Sequence, residues 1–117
     1  MAVLRIVPNL RAADPPAFAA FYRDLFGLDI VMDHGWIATL AAPGPMSPQL
    51  SLASEGGGGT DVPAISIEVD DVDRMHALAL DRGCAIVHPL TDEPWGVRRF
   101  FLRDPAGHIV NVLGHSR

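Results

Sequence analysis

The strongest constraint on this chain is an internal repeat. Asp14 and Asp70 stand 56 residues apart, and Gly27 and Gly83 are separated by the same distance. Each pair brackets a stretch with helical spacing of apolar residues, and each stretch is flanked by short runs of β-branched and aliphatic residues. One βαβββ unit is therefore written twice, over residues 4–54 and 62–115, with the glycine-rich segment 55–61 between them. A single such unit has one helix, which covers one sheet face and leaves the other needing a partner. Two units predict an α+β fold: a curved mixed sheet, helices outside, and a concave inner face suited to a small ligand.

The local signals agree with this plan. Asp14 precedes Pro15-Pro16, a helix start in which the carboxylate caps and proline occupies the first turn. Phe18, Phe21, Tyr22 and Leu25 recur at helical spacing and predict the buried face, and Gly27 ends the helix. In the second unit Asp70-Asp71 caps a helix with Val72, Met75 and Ala79 on its face, ended by Gly83. Strands are predicted over 4–10, 28–32, 36–41, 49–53, 64–69, 85–88, 98–103 and 109–113. Pro8 marks an irregularity in the first strand, because proline cannot donate to a ladder. The run Gly56 to Gly59 lacks the Lys-Ser/Thr of a phosphate loop and reads as a flexible linker.

Composition removes several functions. All nine basic residues are Arg, the net charge is −5, and the longest basic cluster is Arg98-Arg99. A nucleic-acid surface needs many more cations on one face. No stretch reaches the ~18 apolar residues of a membrane span, and no signal peptide is expected. The single Cys84 excludes an internal disulfide and a thiolate zinc cage, and it suits a reducing cytoplasm.

Two longer motifs carry a family likeness. Ala20 to Leu28, Ala-Phe-Tyr-Arg-Asp-Leu-Phe-Gly-Leu, is the first. The second joins Ile67 to Asp73 with Pro94 to His108, and includes the turn Asp104-Pro105-Ala106-Gly107 between two strands. From Ile6 to Leu113 the chain resembles the vicinal-oxygen-chelate superfamily, which includes glyoxalase I, bleomycin-resistance proteins and extradiol dioxygenases. The resemblance implies the paired-module fold. It also implies a divalent metal held by His, Gln or Glu at positions that fall here on Val7, Ala64 and Asn111. None of these suits a dication. What the resemblance then implies is the metal-free bleomycin-resistance-like branch: no cofactor, a homodimer, and sequestration of a hydrophobic aromatic molecule. The alternatives are a glyoxalase-type lyase or isomerase, an extradiol-type dioxygenase, and an accessory module with a vestigial cleft.

Candidate ligand contacts follow. Trp36 and Trp95 offer stacking faces beside turn residues, with His34 next to the first. Strand alternation sets Arg99, Phe101 and Arg103 on one face and Arg98, Phe100 and Leu102 on the other. By resemblance the Phe101 face looks into the cleft, where Phe101 stacks, Arg99 meets an anionic or carbonyl group, and Asn111 hydrogen-bonds. Met46 adds an adaptable apolar wall. His88 reads as a strand-end residue and Cys84 as buried and inert.

Overall fold

The structure, a computed structural model, describes residues 2–115. Its elements run β1 (Val3–Arg11), α1 (Pro15–Phe26), β2 (Asp29–Asp33), β3 (Ile37–Ala41), β4 (Gln49–Ala53), β5 (Ile65–Val69), α2 (Val72–Asp81), β6 (Ile86–Asp92), β7 (Val97–Arg103) and β8 (Ile109–His115). The α+β order βαβββ thus occurs twice. Strand order is β2-β3-β4-β1 in one unit and β5-β8-β7-β6 in the other. Pairing is mixed: β1 with β4 and β5 with β8 run parallel, and the remaining pairs within each unit are antiparallel.

The division between units falls inside β1. Residues through Ile6 group with the chain from Pro63 onward, while Val7–Val62 form the other unit. Pro8 lies just after this boundary and just before Asn9, where pairing with β4 begins. A residue without an amide proton fits a point where the strand changes partners.

Both helices start on an aspartate. Asp14 Oδ1 accepts from the Ala17 amide at 3.3 Å and Asp71 Oδ1 from the Arg74 amide at 3.0 Å. The capping pair is thus Asp14 and Asp71, not Asp70, whose carboxylate instead accepts from the Ala2 amide at 2.8 Å. Gly27 closes α1 with φ +69°, its amide donating to the Arg23 carbonyl at 2.9 Å. That left-handed backbone is where glycine is needed.

Helix α2 packs as its spacing predicts. Val72 and Ala79 join Val69, Phe100, Val110 and Val112 in one core, with Met75 against it. Helix α1 departs from prediction. Its buried residues are Pro15 and Ala19, with Tyr22 packed beside Ala12, Ala38, Leu40 and Leu52. Phe18, Phe21 and Leu25 face outward and remain exposed. The sheet-facing line of α1 is Pro15, Ala19 and Tyr22, and Phe18, Phe21 and Leu25 lie off that line on the exposed side.

Two further segments differ from expectation. Strand β6 continues past His88 to Asp92, through irregular register on either side of His88. Pro89 removes a ladder donor there, and the resulting bulges re-aim the strand's side chains. The glycine run is a closed turn: the Gly56 amide donates to the Thr60 carbonyl at 2.7 Å, and the Gly59 amide to Glu55 Oε1 at 2.9 Å. A Cβ on Gly56 would overlap the Asp61 carbonyl oxygen and Thr60 Oγ1, which accounts for glycine at that position.

At the end of β5, Glu68 joins Arg5 and His115. Arg5 Nε donates to its Oε1 at 2.7 Å, and His115 Nδ1 lies 2.6 Å from Oε2. Burial on its own would raise the Glu68 carboxyl, but the bonds to His115 and Arg5 outweigh it and hold the group below its usual 4.5. A depressed folded-state pKa adds stability above the unfolded value. That stability is lost as pH falls through the lowered one. Acid titration of unfolding should therefore show a loss below about pH 4.5 that Glu68→Gln removes.

Candidate functional site

Alternation along β7 sends Phe100 and Leu102 toward α2, leaving Arg99 and Phe101 on the opposite face of the sheet. Strand register then aligns a row across four strands: Ser66 opposite Asn111, Asn111 opposite Phe101, and Phe101 opposite His88. The first unit carries an equivalent row, with Asn9 opposite Ser51, Ser51 opposite Thr39, and Thr39 opposite Met32. Asn9 and Ser66 are 57 residues apart, as are the capping aspartates. Duplication has thus placed a serine–asparagine pair in each sheet at matching strands. In the first unit Thr39 and Ser51 share a hydroxyl hydrogen bond of 2.7 Å.

The second unit's row continues into a charged aromatic cluster built by the β6–β7 turn. The Gly96 amide donates to the Glu93 carbonyl at 3.2 Å, with Pro94 at the second position, where its fixed φ is favourable. The turn sets Glu93 and Trp95 against Arg99. Arg99 Nε and Nη2 both donate to Glu93 Oε2 at 2.6 Å. The guanidinium carbon lies 4.9 Å from the Trp95 ring centre and 4.6 Å from that of Phe101. Arg99 is only 2% exposed. Burial pulls its pKa down against the opposing pull of Glu93, yet a guanidinium stays charged throughout the physiological range. His88 closes the cluster, its ring 5.2 Å from Phe101 and its Nε2 3.5 Å from Glu93 Oε2.

Trp95, Arg99, Phe101 and Asn111 thus fall on one face of one sheet, with Arg99 already neutralised by an internal carboxylate. Trp36 and His34 sit together in the other unit, rings 6.2 Å apart, with Trp36 half-buried. Met46 lies in the β3–β4 connection and is 87% exposed. Sequence reasoning missed Glu93. Its signal was the Glu-Pro-Trp-Gly turn, whose first residue hairpin geometry directs back toward β7. Cys84 is half-buried and not sealed in the core. The Asp-Pro-x-Gly turn is fixed by Asp104, whose Oδ1 accepts from the Ala106 and His108 amides at 2.9 Å.

The family model described as Glyoxalase/Bleomycin resistance protein/Dioxygenase superfamily matches residues 3–112. The chain belongs to this superfamily. Among solved structures, a superfamily member from Vibrio splendidus 12B01 is similar at 16% identity and TM-score 0.65, over 97% of this chain and 99% of that one. A structure described as NAD-dependent benzaldehyde dehydrogenase from Legionella pneumophila gives 18% identity and TM-score 0.77, over 96% and 100%. Streptomyces coelicolor methylmalonyl-CoA epimerase, in complex with 2-nitronate-propionyl-CoA, gives 19% and 0.73, over 99% and 100%. At these identities the likeness is one of fold. No curated protein matches the chain.

Superfamily membership raises the question of a metal. Val7 is buried and aliphatic, and Ala64 stands exposed just before β5, its amide donating to the Ile109 carbonyl at 2.8 Å. The Asn111 carboxamide spends its Nδ2 on Ser66 Oγ at 3.1 Å. Among the described residues no group of three or more His, Cys, Asp and Glu is placed to hold a metal ion. Hydrocarbon side chains donate nothing, and one neutral amide holds a dication poorly, so these residues do not fit a superfamily-type metal. No helix among the described residues is long and apolar enough to cross a membrane.

Proposed function

We propose that this protein binds and sequesters a hydrophobic, aromatic small molecule without a metal, as a resistance-type or biosynthetic carrier protein. The observation that supports this reading is the side-chain chemistry at the three expected ligand positions, Val7, Ala64 and Asn111. Those three side chains supply no ligand set through which a metal at these positions could polarise a carbonyl. Recognition then falls to stacking and burial, with few polar contacts fixing orientation. The candidate contacts of this reading are Trp95, Arg99, Phe101 and Asn111 in the second unit taken by itself, and, separately, Trp36, His34 and Met46 in the first. Arg99 acts there by holding the rings of Trp95 and Phe101 in place. The outward Phe18, Phe21 and Leu25 face of α1 supports a homodimer, which light scattering tests. A cytoplasmic setting accords with the single Cys84.

Equilibrium dialysis against acridone, a planar tricycle, tests the binding. The expected result is saturable binding that excess EDTA leaves unchanged. Loss of binding with EDTA overturns metal independence.

A second reading, an isomerase or lyase, is favoured by one feature, the approach of His88 Nε2 to Glu93 Oε2 at 3.5 Å. An imidazole beside a carboxylate is a familiar acid–base arrangement. The epimerase among the structural neighbours makes an acyl-CoA thioester the substrate to try. Deuterium exchange into methylmalonyl-CoA, followed by NMR, distinguishes this reading: turnover supports an enzyme, and its absence supports a binder.

A further inference from the structure

We infer that a cavity at the start of α2 is a binding site in its own right, selective for a small organic ammonium ion carried on an apolar body. The cavity has a volume of about 290 Å³, and its lining belongs to the unit that joins the residues through Ile6 to the chain from Pro63 onward. Leu4, Val69, Val72 and Gly114 give it apolar walls, and Glu68, Asp70, Asp71 and Asp73 bring four carboxylates to it. Arg98 reaches it from β7 on the α2 side, opposite to Arg99 and Phe101.

Gly114 keeps this space open. It follows Val110 and Val112 on the α2-facing side of β8, where a third apolar side chain would continue the core. Glycine weakens a strand interior, so its presence there calls for a reason. Conformation does not supply one, because Gly114 does not have a positive φ. Crowding does not either: a Cβ would meet the Val69 carbonyl oxygen at 3.5 Å and the Val72 side chain at 3.6 Å, ordinary contact distances. What glycine leaves is volume beside the first turn of α2, as strands do where a ligand approaches the backbone closely.

Charge sets the class of ligand. The cations near the cavity are already matched, Arg98 by Asp73 and Asp92, and Arg5 and His115 by Glu68. Asp70 and Asp71 have no counter-ion among the described residues; each gives Oδ1 to one backbone amide, of Ala2 and of Arg74. The positive end of the α2 dipole offsets only about half a charge, so these two carboxylates leave the site net negative. Among the described residues no group of three or more His, Cys, Asp and Glu is placed to hold a metal ion, which points to an organic cation. A space at the lower end of the size range of ligand pockets suits a compact amine.

Titration of phenethylammonium into the whole protein, followed by amide NMR, should give saturable shifts at Asp70, Asp71, Val72, Asp73 and Gly114. Phenethyl alcohol keeps the apolar body and replaces the ammonium by a hydroxyl, so it should bind roughly tenfold more weakly. Asp70→Asn with Asp71→Asn removes two charges and keeps both backbone hydrogen bonds, including the helix cap. It should weaken amine binding by roughly threefold or more and leave alcohol binding unchanged. Gly114→Val fills the space and should abolish binding of both compounds. Gly114→Ala, whose Cβ meets only ordinary contacts, should weaken both and serves if the valine variant fails to fold. Equal affinities for amine and alcohol overturn the ammonium selectivity. No saturable shift with phenethylammonium, or shifts that filling Gly114 leaves unchanged, overturns the site.

Discussion

Glu93→Gln is expected to destabilise the protein by about 3–5 kcal/mol, the typical cost of leaving one member of a buried ion pair without its counter-charge. Arg99 is 2% exposed, and its Nε and Nη2 both point at one oxygen, Glu93 Oε2. The rings of Trp95 and Phe101 beside the guanidinium stabilise a cation but do not neutralise it. A neutral amide at position 93 keeps the shape and removes the charge. Denaturant unfolding followed by tryptophan fluorescence and circular dichroism measures the loss. The pair should also be replaceable as a pair. Glu93→Leu with Arg99→Met should recover most of the loss, since well-packed apolar substitutes for buried ion pairs are often neutral or better. A loss below about 1 kcal/mol for Glu93→Gln would be the cost of an exposed pair. It would mean that water reaches Arg99.

Phe100→Ala should cost a similar amount, about 3–5 kcal/mol, by a different mechanism. Phe100 is fully buried among Val69, Val72, Ala79, Val110 and Val112, and the His76 ring meets it in a T-shaped contact with centres 4.9 Å apart. Truncation leaves a cavity between α2 and the sheet that β-branched neighbours on a ladder collapse into poorly. Phe21→Ala is the control. Phe21 is 57% exposed, so its truncation should change stability by no more than about 0.5 kcal/mol in dilute protein. A large loss at Phe21 that grows with protein concentration indicates that the outward α1 face is covered by a second copy. Such a result gives the proposed homodimer its location.

Much of the fold was legible because its signals are local. Aspartate caps, glycine stops and the Asp104 turn act within a few residues, and their repetition at a fixed interval exposed the duplication. The α1 face was misread for a physical reason. Periodicity identifies apolar positions but not which side of the helix meets the sheet: Pro15, Ala19 and Tyr22 take the contact, and Phe18, Phe21 and Leu25 stay exposed. Composition marks the glycine run as the connection between the repeats but does not report the hydrogen bonds that close it into a turn.

On β7 alternation sets Arg99 and Phe101 on one face, while Asn111 on β8 was placed by the family resemblance and is aligned with Phe101 only by the strand register. The site was illegible on β6. There two irregularities around Pro89 break the alternation, so His88 and the start of the following turn had no predictable direction. Glu93 is close to Arg99 only through that turn. Ser66 needed the parallel register of β5 with β8, which no pattern within either strand encodes.

The proposed metal-free binding requires that Val7, Ala64 and Asn111 hold no metal ion. Isothermal titration of manganese, cobalt, nickel and zinc into chelator-treated protein tests it most directly. The prediction is no saturable one-to-one binding that depends on Asn111. A stoichiometric site filled at micromolar metal and abolished by Asn111→Ala would contradict it.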